Sequence, residues 1–174
     1  MATQLITDST PLDSAGTWHV DPAAGKVSFT VRTTWGLSKV RGSFSRYRGT
    51  LTTRPHGTAG ELVIEAASLD TGNSKRDAHL RSDDFFDVER HPQIVFTSSS
   101  VRPAPDGVAV SGELRIGDRS IVVDVPVEIV PSGDRMLLHG ELSVPREHAG
   151  LHWNKLGMIR GDAQLDIELE LFRA

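Results

Sequence analysis

Alternation with a period of two dominates the chain. Near the C-terminus, Leu165, Ile167, Leu169 and Leu171 alternate with Asp166, Glu168 and Glu170. Such a segment lays one face on a core and the other in water, whereas a helix would scatter the same leucines around its circumference. Val27, Phe29 and Val31 alternate with Ser28, Thr30 and Arg32. Ile121, Val123, Val125, Val127 and Ile129 share one parity against Val122, Asp124, Pro126 and Glu128. Pro126 has no N–H to give to a ladder, so it is expected at an edge, a bulge or a strand end. Further strands are predicted in SFSRYRGTLTT, ELVIEAA, QIVFTSSSV, GVAVSGELRIG and RMLLHGELSVP, with Gly, Pro, Asp and Ser in the connections. Connections this short join antiparallel neighbours. About eight such strands in one mid-sized unit predict an all-β fold, an up-and-down barrel or a sandwich.

Two segments interrupt the alternation. TWGLSKVRG, from Thr34 to Gly42, ends one strand at a glycine and restarts another, which leaves Trp35, Leu37 and Val40 in a turn-like stretch. RDAHLRSDDFFD, from Arg76 to Asp87, sets six charged side chains beside two adjacent phenylalanines. Ser74 followed by Asp77 resembles a capping box, and Asp77 and Arg81 stand four apart, so a short helix is predicted over about residues 74–82. Inserted between strands of a small barrel, it would cap one mouth and deliver Phe85 and Phe86 there.

Length and composition narrow the class. The 174 residues, 38% hydrophobic and 24% charged, suit one globular domain able to enclose a core or a cavity. Its apolar runs fall short of the roughly 20 residues a spanning helix needs. The net charge is −4 with scattered basic residues, which argues against a nucleic-acid partner. Absence of cysteine removes thiol chemistry and Cys-ligated metals. MATQLITDSTPLDSAG lacks a basic start and an apolar stretch; residues 1–16 read as a loose arm before a domain at 17–174, and a cytoplasmic location is expected.

Chemistry is harder to place. His148 and His152 flank Gly150, and the other histidines fall on separate elements, so no metal site is predicted. TSSS sits inside an alternating strand, and RGSFSRYRG lacks the Lys-Ser/Thr that closes a phosphate loop. Asp77 and His79 are two positions apart on the predicted helix and point to different sides, which favours a cap and a surface histidine over an acid–base pair. Arg76 either pairs with Asp77 or meets a polar ligand group at the mouth. An eight-stranded barrel either just fills its interior or holds one ligand, and walls of Val, Ile and Leu favour an apolar guest.

Several segments, taken together, are specific. TWHVDPAAGKVSFTVRTTWGLSKVRGSFSRYRGTL resembles the opening of the YceI-like polyisoprenoid-binding family, and SLDTGNSKRDAHLRSDDFFDVERHPQIVFTSSSV carries that family's Thr-Gly, Arg-Asp-x-His-Leu, Asp-Phe-Phe-Asp and Pro-x-Ile-x-Phe pieces in order. GVAVSGELRIGDRSIVVDVPVEI and VPREHAGL are similar to its later strands, so the likeness runs from about Thr17 to Phe172. It implies an elongated, lipocalin-like antiparallel barrel that holds a long isoprenoid lipid or isoprenoid quinone in an apolar channel, as a carrier with no catalytic residues and no cofactor besides the lipid. The residues assigned to the channel are Phe29, Val31, Trp35, Leu37, Phe44, Phe85, Phe86 and Phe96, with Arg76 and His79 toward a polar end. Two rivals stand beside this: an isomerase or cyclase using Asp77, His79 or His148 as proton carriers, and a filled, stress-related barrel. An exposed edge or a helical face could support a homodimer.

Overall fold

A computed structural model describes residues 12, 15–154 and 157–174. Most of the segment read as an arm, residues 1–11, 13 and 14, lies outside the described residues. Leu12 packs against the core, and Gly16 already belongs to the first strand.

The strands are β1 (Gly16–Thr33), β2 (Ser38–Phe44), β3 (Tyr47–Arg54), β4 (Gly57–Glu65), the short β5 (Leu69–Asp70), β6 (Gln93–Ala104), β7 (Gly107–Ile116), β8 (Arg119–Ser132), β9 (Arg135–Val144) and β10 (Arg160–Arg173), with helix α1 (Ser74–Arg81) between β5 and β6. Every pairing is antiparallel. β2 and β3 are two halves of one strand, broken at Ser45 and Arg46. The first half pairs with Val27–Thr33 of β1 and the second with Gly16–His19. Chain neighbours then follow one another around the sheet, and β10 returns to β1, closing an eight-stranded up-and-down barrel. Closure removes the free edges that would otherwise recruit other chains.

The β1–β10 seam needs one special residue. Gly25 follows an irregularity in the pairing and has φ +113°. A Cβ there would lie 2.4 Å from the Glu168 carbonyl oxygen, so only glycine lets the strands meet. Across the same seam, Arg135 Nη1 donates to Asp21 Oδ2 at 2.9 Å and to Glu170 Oε1 at 2.6 Å. The Arg135 hydrogen bond, then the Ala23 N–H, hold the Asp21 carboxyl below the usual carboxylate range. Pro126 behaves as its chemistry requires. β9 pairs with β8 only from Val127 to Ser132, so the missing N–H falls where that ladder stops.

Inward residues of the alternating strands form the core, with Val27, Leu69, Met136 and Leu171 fully buried. Helix α1 lies where the sequence places it, but its start differs. Asn73 is the N-cap, accepting the Arg76 N–H at 3.0 Å, and Asp77 turns away from Ser74 to bind Thr71. Nor do Asp77 and Arg81 pair: Arg81 donates to the carbonyls of Ala67 and Leu69. An exposed i,i+4 ion pair contributes little, whereas these bonds tie the helix to the chain entering it. Among the described residues no helix is long and apolar enough to cross a membrane.

Candidate functional site

Alternation places one parity of each strand inside the barrel, yet the inward side chains do not fill it. They surround a cavity of about 820 Å³, within the range of small-molecule sites. Phe29 and Val31 of β1, Ile64 of β4, Leu114 of β7, Val125 of β8 and Ile167 of β10 are among its walls. Two strand glycines, Gly60 and Gly140, also face it. A glycine inside a strand costs roughly 0.5–1 kcal/mol relative to alanine; here it widens the channel. Added Cβ atoms would meet nothing closer than Leu51 Cδ1 and Val125 Cγ1, each at 3.2 Å, so space, not backbone geometry, distinguishes these positions.

One end is capped by two segments that meet. Phe86 packs edge-on against Phe44, centroids 6.2 Å apart, and Phe44 against Phe29 at 5.5 Å. Trp153, beyond β9, packs edge-on against His79 at 4.5 Å and leans on Phe85 at 5.3 Å. His79 Nε2 lies 2.7 Å from Asp84 Oδ2, so its polar side is already engaged. Asp77 is only 5% exposed. Its Oδ1 accepts both the N–H and the hydroxyl of Thr71, at 3.1 and 2.5 Å, while Arg76 donates to Thr71 Oγ1 at 2.8 Å and to its carbonyl at 2.9 Å. Arg76 and Asp77 therefore converge on Thr71 and do not pair with each other, and no Asp77–His79 dyad forms. Asp77 is a structural anchor for α1.

Of the side chains predicted to line the channel, Phe29, Val31, Phe44, Arg76, His79, Phe85, Phe86 and Phe96 do so. Trp35 and Leu37 do not: they are 53% and 86% exposed. Positive φ at Thr34 and Trp35, 52° and 55°, swings the chain off the strand direction, so the inward parity of Val31 and Thr33 is not continued.

Sequence reasoning missed Arg146. It is 7% exposed and lines the cavity near Trp153 and Leu151. Its Nε donates to the Gly161 carbonyl and its Nη1 to that of Leu151, both at 3.2 Å. Burial pulls the guanidinium below its usual range, against the opposing pull of Glu147 and Asp162. The available signal was an arginine between Val144 and the apolar Ala149 and Leu151, a position where a solvated charge would be out of place. His148 and His152 are exposed and do not line the apolar cavity. On the outer face, His139, Asp166 and Glu168 bring ligand atoms within 4.8 Å of one another. The strand register gathers them; spacing along the sequence did not reveal it.

Comparison with known proteins agrees with this architecture. The sequence pattern of the YceI-like domain matches residues 18–171. Protein YceI of Escherichia coli O157:H7 is 33% identical over 102 residues, 57% of this chain and 53% of that protein, and the UPF0312 protein ECA1782 of Pectobacterium atrosepticum is 32% identical over the same shares. The chain thus spans about half the length of the curated relatives it matches. Among solved structures, Burkholderia cenocepacia BcnA superposes with a TM-score of 0.79 at 24% identity, over 87% of this chain and 98% of that one. A polyisoprenoid binding domain from Saccharophagus degradans, implicated in plant cell wall breakdown, gives 0.73 at 17% identity, over 92% and 100%. At these identities the likeness is one of fold.

Proposed function

The chain belongs to the YceI-like domain family, and on that footing we propose that it is a binding protein whose barrel sequesters a long-chain isoprenoid lipid, with no chemistry performed on it. The observation that carries this reading is the cavity itself: about 820 Å³ of space with an almost entirely hydrocarbon wall. β10 has 14 residues, which at a rise of about 3.3 Å each and a tilt of about 40° makes a barrel roughly 35 Å tall. A flexible hydrocarbon chain fits so deep and narrow an interior better than a compact polar metabolite does. Each buried methylene contributes about 0.8 kcal/mol, from which the ordering of the chain subtracts. The polyisoprenoid binding of the Saccharophagus degradans neighbour supports the choice of chain.

A polar head fits the capped end, where Arg76 and Arg146 border the cavity. Arg146 has only two hydrogen bonds for its five N–H groups among the described residues, which leaves donors for a carbonyl, hydroxyl or phosphate oxygen. Of the proton carriers an enzyme would need, Asp77 is tied to Thr71 and His148 is outside the apolar cavity.

Native mass spectrometry of the protein purified from its own cells, followed by lipid extraction, tests the proposal. One long-chain isoprenoid alcohol, phosphate or quinone per protein is expected. A chain that emerges empty and stays empty when such lipids are supplied contradicts it.

A further inference from the structure

At the barrel's capped end, the β1–β2 turn presents two apolar side chains to solvent beside four cations. Leu37 and Trp35 are 86% and 53% exposed, and the turn that presents them is held in place. The Trp35 N–H donates to the Met158 carbonyl at 3.0 Å, and the Leu37 N–H to that of Thr34 at 3.1 Å. Thr34 and Trp35 both sit at positive φ, a conformation disfavoured for side chains of this bulk. Backbone strain is spent here on pointing an indole and an isobutyl group into solvent.

Next to the turn, the register sets Arg32 of β1 opposite both Arg160 of β10 and Lys39 of β2, with Arg41 opposite Thr30 one outward step along. All four are exposed. Like charges directly opposite on paired strands repel, yet no carboxylate among the described residues lies within ion-pair distance of any of them. Asp162, the nearest acid along β10, instead accepts from Ser143 at 3.0 Å. This basic cluster runs against a net charge of −4 for the whole chain.

We propose that this end of the barrel docks on an anionic phospholipid bilayer, with Trp35 and Leu37 seated at headgroup level and Arg32, Lys39, Arg41 and Arg160 on the lipid phosphates. Tryptophan favours that interface because its ring is apolar while its N–H is not. Basic groups beside an anionic surface each strengthen partitioning by about fivefold. The apolar tip projects outward, which suits a deformable medium more than a complementary groove on another protein. Thr33, Val40 and Ile159, which flank the turn and its partner strand, line the cavity, so docking sets the capped end against the phase where a lipid resides. The inference goes beyond the cargo reading and is independent of it, because docking is governed by surface charge and the turn.

The test is co-sedimentation with vesicles of phosphatidylcholine alone and with about one-third phosphatidylserine, at low salt and at about 0.5 M salt. Binding to the anionic vesicles, at least about tenfold weaker on neutral ones and weakened by salt, is expected. Arg32→Glu with Lys39→Glu should lower it by at least about tenfold, and Trp35→Ser with Leu37→Ser by a similar factor. Thermal melts of these surface variants, unchanged from the parent, keep the comparison clean. Equal binding to both vesicle types, no binding, or insensitivity to both pairs of substitutions would overturn the proposal. So would equal capture by heparin of the parent and the Trp35/Leu37 variant with no vesicle binding, which marks a polyanion site. A chain that docks but takes up no isoprenoid refutes the cargo reading alone.

Discussion

Replacing Gly140 with phenylalanine should all but abolish isoprenoid binding while leaving the barrel folded. Gly140 is buried in the middle of β9, paired with Val127 and Ile167, and faces the channel. Its added Cβ meets Val125 Cγ1 at 3.2 Å, the Pro126 carbonyl oxygen at 3.4 Å and Val127 Cγ2 at 3.5 Å. Small adjustments of valine side chains accommodate those contacts, and an aromatic residue suits a strand better than glycine. The phenyl ring would then occupy the channel. Excluding four or five methylene groups costs about 3–4 kcal/mol, a loss of roughly 200- to 1,000-fold in affinity. Titration with a long isoprenoid alcohol beside a thermal melt measures both halves of the expectation. Undiminished binding by a folded variant would mean that the lipid does not pass the middle of the barrel.

Asp77→Ala should loosen the cap. The carboxylate is buried and takes both donors of Thr71, and Arg76 bonds to that same hydroxyl. Removing the acceptor strands partly buried donors, at about 1–3 kcal/mol. Most of that loss is local, since α1 is tied to the barrel largely through Thr71, Arg81 and the Phe86–Phe44 contact. Hydrogen exchange should accelerate over residues 71–82, and bound lipid should leave faster, whereas Asp77→Asn, which keeps an acceptor oxygen, should recover most of the parent behaviour. Asp84→Ala, on an exposed carboxylate, should leave exchange at Thr71 unchanged. If Asp77→Ala alters neither exchange nor lipid release, the cap does not depend on this carboxylate.

The barrel was legible because its strands obey one rule. Leu165 to Leu171 and Ile121 to Ile129 show their inward parity without ambiguity, and short connections leave antiparallel neighbours as the simple solution. The aromatic wall was legible for the same reason, since Phe29, Phe44 and Phe96 share the inward parity of their strands. Trp35 and Leu37 were misplaced because parity stops where φ changes sign, and no spacing rule reports a left-handed threonine and tryptophan. The helix cap was misassigned for a related reason: Asn73 and Ser74 are both good caps, and which one acts depends on where Asp77 is drawn by Thr71. Arg146 went unnoticed because burial of a charge depends on the packing of Ala149 and Leu151 around it. The histidine and acids at His139, Asp166 and Glu168 come together only through the β9–β10 register.

The central claim is that a hydrocarbon chain fills this channel, and affinity as a function of chain length tests it most directly. Isoprenoid alcohols of increasing length, titrated under one set of conditions, should bind one per protein. Affinity should rise at least about fivefold with each added isoprene unit, after the cost of ordering it, until the channel is full, and then level off. Affinity that is flat from the shortest alcohol onward, or no binding at any length, would contradict the account.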